Sequence, residues 1–261
     1  MDGIIPELRP VLSRYDRPVV CFSGGLDSTV LLRNAIEFCK NPVALFVRLP
    51  MNTARQIEAT IRIAEHLDAE LRLEPLGWSD LKGIEGNGPD RCYVCKRAIF
   101  SKALDVAKDY GNVVFAGDNA DDRYDERPGH RAGRELGIVN PLREADIGRG
   151  KVKAAISEME LPVIMIKDTC MATRYPVGNP IGEREMRFAE ECESAVRKVS
   201  GLKQLRIRYN GSDCMVTTDR SEIHEMVRHI TQITYELKSE GCGATSIRKD
   251  MKNEKRVTED G

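Results

Sequence analysis

The sequence predicts an α/β protein with a doubly wound, mainly parallel sheet, followed by a small α+β domain. Short apolar runs such as Pro18–Phe22 lack polar alternation, which is typical of strands buried on both faces of a parallel sheet. Segments with helical periodicity separate these runs, as in β-α-β units. After Gly182 the pattern changes to helix, hairpin and helix, so we expect a second domain there. A chain of 261 residues has room for both domains.

The first domain is expected over residues 1–182. Its strands are predicted at residues 18–22, 43–47, 70–73, 112–116 and 163–166. Its helices are predicted at residues 28–38, 53–67 and 90–110. Thr53 and Gln56 have capping-box spacing, which supports the start of the second helix.

The second domain is expected over residues 183–248. Its elements are predicted as a helix at 183–199, hairpin strands at 205–209 and 214–218, and a helix at 223–237. Residues 249–261 are charged and nearly free of apolar side chains, so we expect this tail to be disordered.

Composition excludes several classes of protein. The chain has 40 Lys and Arg against 41 Asp and Glu, a net charge of -1, so no bulk attraction to nucleic acid or anionic membranes is expected. The sequence shows neither a leader segment nor an apolar run of about 20 residues, and we expect a cytoplasmic protein. In that reducing compartment, the 8 cysteines favour metal binding or redox chemistry over structural disulfides. Cysteines without a pairing pattern, expected to be ordinary thiols, are Cys21, Cys39, Cys192, Cys214 and Cys242.

The stretch Ser23–Ser28, with the sequence SGGLDS, links the first predicted strand to the first predicted helix. Such a turn places backbone N–H groups and the positive end of the helix dipole at one point, which binds anions. Gly24 and Gly25 let the backbone approach a phosphate, and the serines at both ends add hydroxyl donors. Asp27 would repel a phosphate unless a cation lay between them, which indicates Mg²⁺ carried with a nucleotide. The alternative is an ordinary turn in which Ser28 is the helix N-cap.

Known sequence patterns indicate which class of phosphate-binding loop this stretch resembles. Neither the Walker pattern nor the Rossmann glycine fingerprint is present. Ser23–Ser28 instead resembles the S-G-G-x-D-S signature of the PP-loop ATP pyrophosphatase superfamily, and Gly117–Asp122 resembles its G-x-N-x-D-D element. This resemblance implies an adenine nucleotide alpha hydrolase-like fold that cleaves ATP between the α and β phosphates and adenylates a substrate. It also implies a catalytic role for Asp27 and a position beside the nucleotide for Asn119.

Three cysteines lie in two places that suit a metal. Cys92 and Cys95 have the spacing of a metal knuckle in the stretch RCYVCK. Cys170 follows the last predicted strand of the first domain, at the edge where an α/β sheet exposes its binding crevice. The three thiols are therefore candidates to meet. A zinc site and a redox disulfide between Cys92 and Cys95 are the alternatives.

Longer stretches resemble one branch of the superfamily, the LarE-like ATP-dependent sulfur transferases that mature the nickel-pincer nucleotide cofactor. Residues 117–129 resemble its G-T-N-x-D-D-x-x-D-Y-R-P-G element, with Asp118 in place of the usual Thr and Glu126 in place of Tyr. Cys170–Arg174 matches its C-x-x-(S/T)-R element, and Arg206–Arg208 matches its R-V-R element. The resemblance implies that the three arginines of these two elements hold the substrate phosphate.

The cysteine count divides this family. Members with three cysteines resemble thiolases that hold a 4Fe–4S cluster carrying exogenous sulfide, whereas members with one cysteine give up its sulfur. Because this chain has Cys92, Cys95 and Cys170, the resemblance implies the cluster type, with Cys170 also catalytic. Sacrifice of Cys170 is the alternative. The family glutamate matches either Glu190 or Glu193.

The resemblance implies a reaction in two stages that uses ATP and Mg²⁺. A carboxylate of the substrate, in the family a pyridinium dicarboxylate mononucleotide, is adenylated and then converted to a thiocarboxylate with sulfide or a sulfur donor protein. A homo-oligomer is expected by the same resemblance. A tRNA thiolase is the nearest alternative, and the near-neutral charge argues against it. Two others are an ammonia-using ligase, which would leave the cysteines without a role, and a nucleotide-binding sensor without turnover.

Overall fold

A computed structural model describes residues 3–124, 128–162 and 170–248. By its contacts the chain divides into two compact units, residues 1–167 and 168–261, and the segment from Cys170 to Gly182 belongs to the second. The predicted fold class is confirmed, because the first unit holds a parallel sheet with helices and the second holds a small mixed sheet with helices. The tail predicted at 249–261 lies outside the described residues.

The sheet of the first unit is parallel. Its strands are β1 (Val19–Cys21), β2 (Val43–Arg48), β3 (Leu71–Pro75) and β4 (Val114–Phe115). All four match predicted strands, whereas the strand predicted at 163–166 lies outside the described residues. The apolar residues of β1, β2 and β4 are almost completely buried, as expected for strands in the interior of a parallel sheet.

Helices precede, connect and follow these strands. They are α1 (Arg9–Leu12), α2 (Leu26–Phe38), α3 (Ala54–His66), α4 (Arg91–Ala107), α5 (Pro128–Glu135), α6 (Pro141–Glu144) and α7 (Arg149–Glu158). The three predicted helices correspond to α2, α3 and α4, with ends shifted by a few residues. Thr53 caps α3, since its side-chain oxygen accepts a hydrogen bond from Gln56 N at 3.1 Å.

The strand order is β3-β2-β1-β4, and it locates the expected ligand site. The chain winds from β1 through β2 to β3 on one side, while β4 lies on the other side of β1. In open parallel sheets, ligands bind at the carboxyl ends of the strands where the winding direction reverses. The loops after β1 and β4 therefore lie where a ligand is expected.

In its described residues, 170–248, the second unit contains three α-helices and a three-stranded sheet. Its elements are α8 (Glu183–Ser200), β5 (Leu205–Asn210), β6 (Asp213–Thr218), α9 (Ile223–Arg228), α10 (Ile230–Ser239) and β7 (Thr245–Arg248). β5 and β6 form the predicted antiparallel hairpin, and β7, which was not predicted, pairs parallel to β6. The single helix predicted at 223–237 is wrong, because the chain leaves helical geometry at His229 (φ -102°, ψ 13°). In the part of the chain that is described, no helix has the length and apolar content to cross a bilayer.

Cys214 and Cys242 form a disulfide, so the expectation that neither has a partner is wrong. Their Cα atoms lie 5.8 Å apart although 28 positions separate them in the sequence. Two backbone hydrogen bonds align the segments: Cys214 N donates to Ala244 O at 2.9 Å, and Gly243 N donates to Ser212 O at 2.8 Å. The pairing arises from this tertiary contact, which no cysteine spacing reveals.

Candidate active site

The loop after β1 is a compact turn held by its own side chains. Gly24 has φ +71°, and a Cβ at this position would lie 2.6 Å from Thr60 Oγ1 in α3. Ser23 N donates to Ser28 Oγ at 3.3 Å, and Ser28 Oγ donates to Gly25 O at 3.0 Å. Thr60 Oγ1 donates to Ser23 O at 3.2 Å. The turn is thus fixed both internally and against α3.

The amino end of α2 has no side-chain cap within the described residues. Gly25 is the N-cap residue and Ser28 lies inside the first helical turn, so the alternative with Ser28 as N-cap is wrong. The first N–H groups of a helix lack helical acceptors, and the helix dipole adds positive charge at the same point. Thr29 Oγ1 is buried and has no hydrogen-bond partner among the residues described. This end of α2 can therefore accept an anion such as a phosphate.

Asp27 and Asn119 join the loops that follow β1 and β4. Asn119 Nδ2 donates to Asp27 Oδ1 at 2.8 Å, across 92 positions of sequence. The loops approach closely because Gly117 has no side chain: a Cβ there would lie 3.1 Å from Ser28 N. Asn119 is buried, and its Oδ1 accepts a hydrogen bond from Asp121 N at 3.0 Å. The amide is thereby oriented toward Asp27 at the switch point of the sheet.

The environment of Asp27 disfavours its charged form. Burial raises the pKa of Asp27 above its ordinary value, the hydrogen bond from Asn119 lowers it, and the nearby charge of Asp122 raises it again. A cation next to the carboxylate would favour the ionised form. The geometry and the electrostatics therefore suit a divalent cation that accompanies phosphate groups.

Two ion pairs support the loop after β4, and no sequence pattern indicated them. Arg149 Nη2 lies 2.7 Å from Asp122 Oδ1, and Arg143 Nη2 lies 3.0 Å from Asp118 Oδ2. Asp118, Asp122 and His130 could share a cation, since their ligand atoms lie within 4.8 Å of one another. Because both carboxylates already pair with arginines, we assign no metal to them. Asp118 stands in place of the Thr of the resembled element, a departure that could have indicated a charged partner.

The candidate metal-binding thiols are distributed over both units. Cys92 and Cys95 lie one turn apart at the start of α4, and both are half-buried. Their spacing puts them on one face of the helix, so they can contact one metal ion or cluster. Cys170 is exposed and directly precedes a 3₁₀ helix at Met171–Arg174 in the second unit. A shared site of all three thiols stays a prediction.

The predicted phosphate-binding arginines lie in the second unit. Arg206 and Arg208 alternate with apolar residues along β5, so they lie on the same face of the sheet. Arg174 is buried, and its guanidinium contacts the carboxylate of Glu193 through two nitrogens, at 2.6 and 3.3 Å. Glu193 is buried as well, whereas Glu190 is half-buried. The two candidate glutamates thus differ in burial, and which of them matches the glutamate of the resembled family stays a prediction.

Comparison with known proteins gives three relatives, while no family model matches the chain. It is 26% identical over 234 residues to the pyridinium-3,5-bisthiocarboxylic acid mononucleotide synthase of Lactiplantibacillus plantarum, covering 88% of this chain and 84% of that protein. It is 28% identical over 207 residues to an uncharacterized protein of Methanocaldococcus jannaschii (78% and 79% covered) and 25% identical over 234 residues to one of Synechocystis (88% and 87% covered). Each match is longer than either compact unit, so the similarity extends over both. The similarity to the synthase supports the LarE-like resemblance of the motifs.

Proposed function

We propose that this protein is an ATP-dependent sulfur transferase that converts a carboxylate of a pyridinium dicarboxylate mononucleotide into a thiocarboxylate. The observation that carries the proposal is the 2.8 Å hydrogen bond between Asn119 and Asp27, which joins the two loops with PP-loop patterns. The substrate class is supported by the similarity to the bisthiocarboxylic acid mononucleotide synthase.

ATP with Mg²⁺ fits the amino end of α2. The N–H groups of the first turn and the loop Ser23–Ser28 would bind the β and γ phosphates, and Asp27 would bind Mg²⁺. A carboxylate oxygen of the substrate attacks the α phosphorus, and the bond from this phosphorus to the bridging oxygen breaks as pyrophosphate leaves. The N–H groups stabilise the negative charge that develops on pyrophosphate. The product is an acyl adenylate, in which the carboxyl group is activated.

Cys92, Cys95 and Cys170 are proposed to hold a 4Fe–4S cluster. The first two thiols fit this group because they lie on one face of α4, and Cys170 fits because it is exposed. When bound, the cluster would supply sulfide received from solution or from a donor protein. The chain itself would orient the acyl adenylate, so that sulfur replaces AMP at the carbonyl carbon.

The phosphate of the substrate mononucleotide is proposed to bind Arg206 and Arg208. Two guanidinium groups on the same face of β5 suit contacts with several phosphate oxygens. The motif resemblance adds Arg174 to this group. Because Arg174 already pairs with Glu193, its role toward the substrate stays a prediction.

The adenylation step is tested with anaerobically purified protein, Mg-ATP, sulfide and pyridinium-3,5-dicarboxylic acid mononucleotide. We expect pyrophosphate and AMP in equal amounts, and a product in which mass spectrometry detects sulfur in place of oxygen. Asp27→Asn should abolish pyrophosphate release. Asp109→Asn is the matched control, because Asp109 is an exposed aspartate away from the loop that follows β1. Its neighbour Tyr110 contacts Arg17, which precedes β1 and so lies at the opposite end of that strand. Absence of substrate-dependent pyrophosphate release from the wild-type protein would contradict the proposal.

The source of sulfur is tested by iron, sulfide and zinc analysis of wild type and Cys170→Ala. About four irons and four sulfides per chain, lost in the variant, would support the cluster. Zinc, or a colourless protein that cannot be reconstituted, would overturn it. Loss of one sulfur from Cys170 after turnover would instead identify a sacrificial cysteine.

A further inference from the structure

Arg149 lies at the start of α7, next to the loop after β4. Its Nη2 is 2.7 Å from Asp122 Oδ1, and its backbone N–H donates to Asp121 Oδ2 at 2.7 Å. Ala120 N donates to Ile147 O at 2.9 Å. Three contacts therefore join the start of α7 to the loop that carries Asn119.

Asp122 transmits this constraint toward the candidate ATP site. Its second oxygen, Oδ2, accepts a hydrogen bond from Asn119 N at 3.1 Å. Asn119 Nδ2 in turn donates to Asp27 Oδ1 at 2.8 Å. A continuous chain of hydrogen bonds thus runs from Arg149 through Asp122 and Asn119 to Asp27. Asp122 and Asn119 are 8% and 1% exposed, so water competes little with the inner bonds of this chain.

Arg149 also places a positive charge beside the carboxylates of this hydrogen-bond chain. Three carboxylates, of Asp27, Asp121 and Asp122, lie near the guanidinium. The pKa of Arg149 is raised, mainly by its hydrogen bond to Asp122 and also by the charges of Asp121 and Asp27. Without this cation, Asp122 would lose its ion pair with Arg149, and Asp27 would lose a positive charge that offsets the nearby charge of Asp122.

We propose that Arg149 is a positioning residue of the ATP site, which acts through Asp122 and Asn119 to hold Asp27 where it binds Mg-ATP. This inference rests on the proposed ATP-dependent function. The side chain of Arg149 is 51% exposed, so its replacement leaves no buried cavity and should leave the fold intact. Its contact with Asp122 involves one nitrogen, Nη2, and the ammonium group of a lysine can replace one such contact.

The test compares Mg-ATP binding to Arg149→Met, Arg149→Lys and the wild-type protein by isothermal titration calorimetry. Arg149→Met should raise the Kd by about 10- to 100-fold, the usual effect of losing one hydrogen bond to a charged group. Arg149→Lys should recover most of the affinity for Mg-ATP that Arg149→Met loses. Arg187→Met is the matched control and should leave the Kd unchanged, since Arg187 forms one exposed ion pair of 2.8 Å with Glu183 in α8. Thermal unfolding verifies that each variant is folded.

A double-mutant cycle tests whether Arg149 acts through Asp122. If it does, Arg149→Met combined with Asp122→Asn should bind Mg-ATP no more weakly than the weaker of the two single variants. Additive losses, or an Arg149→Met Kd within about twofold of wild type, would overturn the inference and leave the ATP proposal standing. Failure of the wild-type protein to bind Mg-ATP would overturn both.

Discussion

Arg174 Nε lies 2.6 Å from Glu193 Oε1, and both side chains are almost completely buried. The same carboxylate accepts hydrogen bonds from Arg197 Nη2 at 3.0 Å and from Ile207 N at 3.1 Å. It therefore connects the 3₁₀ helix before α8, α8 itself and β5. Ile207 lies between the two predicted phosphate-binding arginines of β5, so Glu193 also fixes the strand that carries them.

Glu193→Ala should lower the free energy of unfolding of the second unit by about 3–5 kcal/mol, because it removes the carboxylate that pairs with the buried guanidinium of Arg174. Glu191→Ala is the control, since Glu191 is exposed on the same helix, and it should change stability by no more than about 0.5 kcal/mol. Urea unfolding curves measure both effects. Equal losses in the two variants would contradict the assigned role of Glu193.

Asp27→Asn should stabilise the protein at neutral pH although it removes the proposed Mg²⁺ ligand. Burial raises the pKa of Asp27, so the native state holds the ionised form less readily than the unfolded state does. The charge therefore destabilises the fold at neutral pH, and this cost disappears as the pH falls toward about 4, where the unfolded carboxylate gains its proton. Thermal unfolding between pH 7 and 4, in EDTA without nucleotide, measures the difference. A variant that is less stable than wild type at pH 7 would contradict this prediction.

Alkylation should separate three unreactive thiols from the exposed thiol of Cys170. Burial raises the pKa of Cys21 and Cys39 to about 12 and that of Cys192 to about 11, so these thiols stay protonated and unreactive at neutral pH. Cys170 is exposed and should react first with iodoacetamide in metal-free protein. Peptide mass spectrometry before and after denaturation identifies the labelled sites. Labelling of Cys39 in the native protein at the rate of Cys170 would show that its burial is not maintained.

Reduction of the disulfide between Cys214 and Cys242 should destabilise the second unit. The two cysteines are 28 positions apart, and loop-closure entropy for that length gives a stabilisation of about 3–4 kcal/mol. Cys242→Ala should therefore unfold at lower urea concentration than the wild type. Adding reductant should shift the wild-type curve to that of the variant and leave the variant unchanged. A wild-type curve that is insensitive to reductant would count against a stabilising disulfide.

The strands of the first unit and its helices α2, α3 and α4 could be predicted because their signals are local. Apolar runs such as Val43–Val47 and the helical periodicity of α2, α3 and α4 act over a few neighbouring residues. Thr53 could be recognised as a cap for the same reason. In the second unit, Thr245–Arg248 has few apolar residues and becomes a strand through its pairing with β6, which a local pattern does not contain. The break at His229 likewise has no glycine or proline to signal it.

By itself, the sequence determined the fold class, and it identified the loop after β1 as a candidate phosphate-binding loop, since Gly24, Gly25 and Asp27 lie within one short stretch. Asn119 could be placed beside that loop only by resemblance, and Arg149 and the Cys214–Cys242 pair gave no local sign. The tertiary structure decided that Asp27, Asn119 and Arg149 belong to one chain of hydrogen bonds. The physical reason is that such contacts depend on which loops and helix ends reach the same edge of the sheet, and strand order sets this over the whole unit.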